Sequence, residues 1–254
     1  MDLPINHLKH NLQAGKVQTG CWVSLASHAS AEICAGAGFD WILIDMEHAP
    51  NELHMVHHQL HAASAYPASV LVRAPWNDTV VIKRLLDVGV QSLLLPYVQN
   101  EEEAKRAVAA VRYPPRGIRG VSTSSRANRF GRVKDYFKRV DEEICLIVQV
   151  ETRAALARIE KIAAIDGIDG LFIGPQDLAA DFGQLANPGH PEVQAAIADA
   201  IPRIKRTGKA AGILAFVEAD AKKWIEHGAQ FVAVTSDQFL LTRETTAVAA
   251  RFKG

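Results

Sequence analysis

The sequence has little of what marks several large classes of protein. It has only three cysteines, Cys21, Cys34 and Cys145, and none forms a CxxC pair, so we expect reduced, buried thiols rather than a disulfide framework. No segment reaches the ~18 continuous apolar residues of a membrane helix, and the N-terminus lacks the apolar core of a secretion signal. The 28 basic residues balance the 28 acidic ones, so no overall charge attracts nucleic acid or an anionic membrane. We predict a cytoplasmic protein that binds a small molecule.

Short apolar runs alternate with longer segments of helical period along the chain. Eight such units, with strands too apolar to face water, predict an α/β protein, a closed parallel (β/α)8 TIM barrel, as one domain over residues 1–254. Ile5–Ala14 predicts an additional N-terminal helix at the bottom of the barrel. The predicted strands are Gly20–Leu25, Trp41–Asp45, Ser69–Arg73, Ser92–Tyr97, Ile144–Glu151, Gly170–Gly174, Ala211–Phe216 and Phe231–Ser236. The predicted helices between and after them are Ala29–Ala37, Asn51–Ala65, Thr79–Val88, Glu101–Arg112, Arg153–Ala164, Pro191–Thr207, Ala219–His227 and Gln238–Phe252.

Polar residues stand where several of these strands end, which is where a barrel of this kind places its active site. Glu151 ends the fifth strand and Asp177 follows the sixth. Two carboxylates without a nearby cysteine or histidine form a hard oxygen site suited to Mg²⁺ or Mn²⁺, with the substrate completing the shell. Each acid also has a structural alternative, because Asp177 could cap a helix and Glu151 could form an ion pair.

Arg73 ends the third strand, where its guanidinium can hold a carboxylate through two hydrogen bonds and stabilise a developing oxyanion. An enzyme that acts on a 2-oxo acid needs both interactions, one for the carboxylate and one for the oxygen that becomes negatively charged. The segment Gly174-Pro175 leads into a helix whose first backbone N–H groups suit the same carboxylate. The alternative for Arg73 is a structural ion pair with a neighbouring strand.

His48 follows the second strand and is the candidate acid or base, since imidazole exchanges protons near neutral pH. Asp45, close in sequence, and Asp87, at the end of the helix after Arg73, are the two acids that could orient it. A hydrogen-bonded loop histidine without chemistry is the alternative. No lysine lies within a predicted strand, which favours a metal over a lysine Schiff base.

Five motifs in order along the chain resemble the HpcH/HpaI aldolase family. They are Asp45-Met46-Glu47-His48-Ala49-Pro50, Leu71-Val72-Arg73, Pro114-Pro115-Arg116-Gly117-Ile118-Arg119-Gly120, Gln149-Val150-Glu151-Thr152 and Phe172-Ile173-Gly174-Pro175-Gln176-Asp177-Leu178. The resemblance spans nearly the whole chain. It implies a barrel of the phosphoenolpyruvate/pyruvate-binding type and a class II pyruvate aldolase that acts on a 4-hydroxy-2-oxo acid.

The resemblance also implies roles for individual residues. Glu151 and Asp177 would bind a divalent metal, Mg²⁺ or Mn²⁺ with Co²⁺ as a further option, and Arg73 would stabilise the enolate. His48 would be the acid or base, with Asp87 raising its basicity and Asp45 helping to place it. Pyruvate would contact Gln149, Gly174, Pro175, Gln176 and Asp177. A homo-hexamer is expected, in which the arginine-rich segment between strands four and five serves a neighbouring site.

Two positions depart from the family pattern, and other functions stay open. Met46 replaces a glycine of several members, and Gln176 replaces alanine or serine beside the expected pyruvate pocket. One alternative is a citrate-lyase-like enzyme that acts on a coenzyme A thioester, which the Glu47-His48 motif disfavours. Another is a non-catalytic barrel that binds a metal or an oxo acid. The aldehyde is not specified, and breakdown of either aromatic compounds or sugar acids would fit.

Overall fold

A computed structural model describes residues 1–253 as a closed parallel barrel, so the predicted fold is confirmed. Each strand pairs with its neighbours in sequence, and the first strand closes the ring by pairing with the last. The strands are β1 Gln18–Val23, β2 Trp41–Asp45, β3 Ser69–Arg73, β4 Ser92–Leu95, β5 Cys145–Val150, β6 Gly170–Ile173, β7 Ala210–Leu214 and β8 Phe231–Ser236.

Two layers of apolar side chains hold the barrel together. Alternate residues of each strand face inward, where Trp22, Trp41, Phe172 and Phe231 pack with leucine and alanine side chains. The other strand residues face outward and pack against the helices. Gly20 is needed in β1 because the ring of Trp41 occupies the space that a Cβ atom would fill. The interior is therefore a packed core, and the C-terminal ends of the strands form its open mouth.

The helices surround the barrel, with some differences from the expected pattern. The predicted helix Arg153–Ala164 is two short helices, because the chain leaves helical geometry at Arg158, where ψ is 10°. The sequence pattern also did not indicate α6. Within residues 1–253 the helices are α1 His7–Gln13, α2 His28–Gly36, α3 Leu53–Ala63, α4 Thr79–Asp87, α5 Glu101–Val111, α6 Tyr136–Glu143, α7 Arg153–Leu156, α8 Ile159–Ala163, α9 Pro175–Asp181, α10 Pro191–Arg206, α11 Glu218–Glu226 and α12 Asp237–Lys253.

The N-terminal helix α1 closes the bottom of the barrel, as predicted. Its side chains Leu8 and Leu12 join the interior core. Asn6 caps the helix and donates from Nδ2 to Ser92 Oγ at 2.9 Å and to the Glu143 carbonyl at 2.9 Å. The open mouth of the barrel is therefore at the opposite end.

Cys21, Cys34 and Cys145 are buried free thiols, as expected. Among residues 1–253, no helix combines the length and the apolar character needed to cross a membrane.

Candidate active site

An ion-pair network lies at the mouth of the barrel, where β2 and β3 end. Asp45 and Arg73 are register partners across these two strands, so their side chains meet directly. Arg73 donates from Nε to Asp45 Oδ1 at 2.8 Å and from Nη2 to Oδ2 at 2.7 Å. Its third nitrogen, Nη1, lies 2.8 Å from Glu47 Oε2. The Trp22 ring packs against the guanidinium, with 5.0 Å from Cζ to the ring centroid. Arg73 is therefore fixed in position.

Burial and charge oppose each other in this network. Burial favours the neutral form of Asp45, but the hydrogen bonds and charge of Arg73 outweigh it and lower the pKa of Asp45. Burial also favours neutral Arg73, yet its hydrogen bonds to Asp45 and the charges of Asp45, Glu47 and Glu151 raise its pKa. For Glu47, burial dominates and raises the pKa to about 7, with further increases from Asp45 and Asp177. Arg73 thus stays charged while Glu47 can hold a proton near neutral pH.

Glu151 directly follows β5 and is almost fully buried. Its Oε1 accepts a hydrogen bond from the Tyr97 backbone N–H at 2.8 Å, and its Oε2 accepts one from Gln149 Nε2. The carboxylate also packs against Gly174, where a Cβ atom would collide with it. Burial, followed by the charges of Asp177 and Glu47, raises the pKa of Glu151 to about 7.

Asp177 lies in the first turn of α9 and is exposed. This helix follows β6, the strand that pairs with β5. The charge of Asp177 acts on both Glu151 and Glu47, so three acids share one region of the mouth. Pro175 is half-buried and Gln176 is exposed beside it, while Met46 packs toward the core between barrel and helices. The structure therefore gathers all the residues that we expected to bind metal and pyruvate at one end of the barrel.

The donors in this region fit a hard divalent cation. Glu151 and Asp177 offer carboxylate oxygens, and the charge of Asp177 opposes ionisation of Glu151 when no cation is present. Within residues 1–253 no three His, Cys, Asp or Glu side chains are grouped to hold a metal ion. Two carboxylates would therefore leave coordination positions to substrate and water, which is how Mg²⁺ is commonly held. None of the eight strands, all within the described residues, contains a lysine.

His48 lies at the same mouth, and we describe its surroundings within one chain. Its side chain is 67% exposed and its Nε2 lies 3.9 Å from Glu47 Oε1. Both Asp45 oxygens accept hydrogen bonds from Arg73. Asp87 ends α4, which runs from the mouth to the bottom, and its Oδ1 lies 3.3 Å from Arg119 Nη2. Within one chain, the side-chain partner of Asp45 is Arg73 and that of Asp87 is Arg119.

Several residues at the mouth have no individual role assigned from the sequence. Glu47 was part of a motif but had no assigned role. Tyr97 adopts a left-handed backbone conformation with φ of 55°, and its N–H holds Glu151, but no sequence signal marks it. The carboxylate of Asp237 accepts hydrogen bonds from Ser24 N at 2.9 Å and Leu25 N at 3.2 Å. Asp237 thus joins the end of β8 to the loop after β1 and serves the architecture of the mouth.

Comparisons with known proteins agree with this geometry. The sequence profile described as HpcH/HpaI aldolase/citrate lyase matches residues 18–243. Pyruvate aldolase of Rhizobium etli is 57% identical over 252 residues, which cover 99% of both chains. The 4-hydroxy-2-oxo-heptane-1,7-dioate aldolase of Salmonella dublin is 55% identical over 97% of this chain and 94% of its own length. The crystal structure of an HpcH/HpaI aldolase/citrate lyase family protein from Burkholderia cenocepacia J2315 superposes with a TM-score of 0.94, at 38% identity, and covers 98% of this chain and 100% of that one. The chain therefore belongs to the HpcH/HpaI aldolase/citrate lyase family and is a carbon–carbon lyase.

Proposed function

We propose that this enzyme is a metal-dependent class II aldolase that reversibly cleaves a 4-hydroxy-2-oxo acid into pyruvate and an aldehyde. The observation that carries the proposal is the juxtaposition, at one barrel mouth, of the fixed Arg73 guanidinium with the buried Glu151 carboxylate and Asp177. Aldolases at 55% and 57% identity over nearly the whole chain support the reaction class.

Glu151 and Asp177 would hold the divalent cation, Mg²⁺ or Mn²⁺ with Co²⁺ as a further option. The bound cation would supply Lewis-acid polarisation of the 2-oxo group. Gln149 and the Tyr97 N–H keep Glu151 in place, so the carboxylate is preorganised for this task. Gly174 leaves the room that Glu151 needs, and the backbone from Pro175 onward, at Gln176 and Asp177, would contact the pyruvate carboxylate.

Arg73 would stabilise negative charge on the 2-oxo oxygen as the enolate of pyruvate forms. A guanidinium has five N–H donors, and two of those on Arg73 bind Asp45 while Nη1 faces Glu47. At least one N–H on each terminal nitrogen remains for substrate. Because Asp45 holds the group rigidly, little reorganisation is needed when charge develops.

His48 would remove the proton from the 4-hydroxyl group as the C3–C4 bond breaks and return a proton in the reverse reaction. Its exposed position at the mouth leaves it free to reach this hydroxyl. Glu47, with a pKa raised to about 7, is the acid of the same chain that could exchange a proton with His48. Asp87 would influence His48 only across a contact between two copies of the chain, since it lies at the opposite end of its own barrel.

The enzyme would act as a homo-oligomer, and a hexamer is the form implied by the family resemblance. The helix α12 supports an assembly, because Asp237 is its only buried residue among those described. Leu241, Val248 and Phe252 on this helix are exposed apolar side chains. A helix that leaves the barrel with this surface requires a covering partner, and a second copy is always available.

The substrate of the Salmonella relative, 4-hydroxy-2-oxo-heptane-1,7-dioate, is the first compound to test. Pyruvate release should be measured with Mg²⁺ and with EDTA, and in the Asp177→Ala variant. Asp181→Ala, on the same helix but bound to Arg153, is the matched control. We expect release that needs the metal and is lost only in Asp177→Ala. Equal release with EDTA would contradict the metal-dependent mechanism, while turnover of a coenzyme A thioester alone would favour the citrate-lyase-like alternative.

A further inference from the structure

A small core cluster lies between the outer face of the barrel and helices α2 and α3. Cys21 of β1 and Cys34 of α2 are the two sulfur-bearing residues of this cluster. Their Sγ atoms lie 3.8 Å apart, so the two thiols are in contact. The third cysteine, Cys145 of β5, is also buried but belongs to the interior core of the barrel. The fold therefore places two of the three thiols side by side and the third elsewhere.

The side chains around the two sulfurs are mostly small. The distance between bonded sulfurs in a disulfide is about 2.05 Å, so the two Sγ atoms would have to approach each other by less than about 2 Å. A movement of this size is easier where the neighbours present single methyl groups than where they present large rings. Half of the cluster consists of alanines, which are Ala31, Ala35, Ala63 and Ala68.

The two thiols differ in exposure and in acidity. Cys34 is 7% exposed and Cys21 is fully buried, so a small oxidant from the solvent reaches Cys34 first. The Cys21 S–H donates to Cys34 Sγ, with the Trp22 carbonyl oxygen at 3.5 Å as its other acceptor. This hydrogen bond lowers the pKa of Cys34, against the effects of burial and of the Asp237 charge, and it raises the pKa of Cys21. Cys34 is therefore the thiol that reacts first.

We propose that Cys21 and Cys34 form a site of reversible oxidation, at which a hydroperoxide converts the two thiols into a disulfide within one chain. The Cys34 sulfur attacks one oxygen of hydrogen peroxide, so that an S–O bond forms, the O–O bond breaks and the other oxygen leaves as water. The Cys21 sulfur then attacks the Cys34 sulfur, so that the S–S bond forms, the S–O bond breaks and the hydroxyl group leaves with the Cys21 proton as a second water. The two thiols lose two electrons and two protons, and the peroxide is reduced to two waters.

The second thiol sets where the oxidation stops. A sulfenic acid that has no thiol beside it can be oxidised further to a sulfinic acid, which dithiothreitol does not reverse, whereas a neighbouring thiol converts it into a reducible disulfide. Cys21 is in contact with Cys34 and is placed for this second step. The inference is independent of the proposed aldolase reaction, because neither a metal nor pyruvate takes part.

The test treats the folded enzyme with a small molar excess of hydrogen peroxide. Remaining thiols are then blocked with iodoacetamide in denaturant, and mass spectrometry of the peptides identifies the state of each cysteine. Non-reducing electrophoresis shows whether a disulfide joins two chains. A second sample is reduced with dithiothreitol before blocking, which measures the reversible fraction. Cys21→Ala and Cys145→Ala each remove one fully buried thiol, so the second variant is the matched control for the first.

The native enzyme should form the disulfide between Cys21 and Cys34 at least about tenfold faster than Cys145 is oxidised, and dithiothreitol should restore all three thiols. Cys145→Ala should form the same disulfide, and Cys21→Ala should accumulate a sulfinic acid at Cys34 that dithiothreitol does not reverse.

Three results in the native enzyme would overturn the inference. The first is that Cys21 and Cys34 stay free under conditions that fully oxidise added glutathione. The second is a disulfide between chains in place of one within a chain, and the third is a sulfinic acid at Cys34 in place of the disulfide. These results come from the native enzyme, so failure of a variant to fold would not affect the test.

Discussion

Replacing Glu151 with glutamine tests whether the negative charge of this buried carboxylate destabilises the folded protein when no cation is bound. Glu151 is buried, and the negative charges of Asp177 and Glu47 oppose its ionisation, so its pKa rises to about 7 from the usual 4.5. Gln149 is suited to accept the change, because its Oε1 has no hydrogen-bond partner among the described residues. After a half-turn of the Gln149 amide, that oxygen can accept a hydrogen bond from the amide introduced by Glu151→Gln.

The expected effect has a definite sign and pH range. A carboxyl group with a raised pKa binds its proton more tightly in the folded state, so its ionisation lowers stability as pH rises from 4.5 to about 7. Above about pH 7 the loss is complete. A change from 4.5 to about 7 corresponds to about 3 kcal/mol, since one pKa unit is about 1.4 kcal/mol. In metal-free protein, Glu151→Gln should therefore increase the free energy of unfolding by about 3 kcal/mol near pH 8 and by almost nothing near pH 4.5.

Urea unfolding in EDTA at several pH values measures this difference. Glu102→Gln, a change of the same kind at a surface side chain that is 75% exposed, is the matched control and should show no such pH dependence. With Mg²⁺ at about 100 times its dissociation constant, the native protein should gain about 2.7 kcal/mol, and the variant should gain little. The reasoning is refuted if Glu151→Gln is no more stable than the native protein in EDTA near pH 8, or if the difference is the same at all pH values.

Three further changes give expected outcomes of different kinds. Arg73→Lys keeps the charge but cannot keep both hydrogen bonds to Asp45. Urea unfolding should therefore show a free energy of unfolding lower by about 2 kcal/mol, and pyruvate proton exchange should slow about 100-fold. Exchange at the native rate would exclude Arg73 from enolate stabilisation. His48→Ala should lower kcat for cleavage about 100-fold with little change in KM, as steady-state kinetics would show, and an unchanged kcat would remove His48 from proton transfer. Asp237→Ala removes the hydrogen bonds that join α12 to the loop after β1. Thermal unfolding should therefore show a loss of stability of about 2 kcal/mol, while the rate of pyruvate proton exchange stays within about twofold of the native rate. A slowing of exchange as large as that expected for Arg73→Lys would place Asp237 in the site.

The barrel could be predicted from sequence because its signal is repeated eight times. An apolar run that stops at a charged residue gave the ends of β2 at Asp45 and β3 at Arg73, as the structure has them. β4 was predicted two residues too long, because Pro96 and Tyr97 continue the apolar character after the strand has ended at Leu95. Apolar character does not mark the end of a strand, since Pro96 is buried after the strand has ended and Tyr97 is apolar but exposed.

Contacts between side chains were less predictable than positions. That Asp45 binds Arg73 rather than His48 depends on the register of β2 against β3, which sequence spacing does not specify. Asp87 follows Arg73 by one helix, and that helix carries it to the other end of the barrel. The role of Glu47 depends on the same register, because its carboxylate reaches Arg73 only after the strands align.

The central claim is that this chain forms the enolate of pyruvate with the help of a divalent metal, and proton exchange tests it without knowledge of the aldehyde. Pyruvate is incubated with the enzyme in D₂O, with Mg²⁺ or Mn²⁺ and then with EDTA, and loss of the methyl signal is followed by NMR. The account predicts exchange that requires the metal and disappears in Asp177→Ala. No exchange by folded protein saturated with either metal would contradict it.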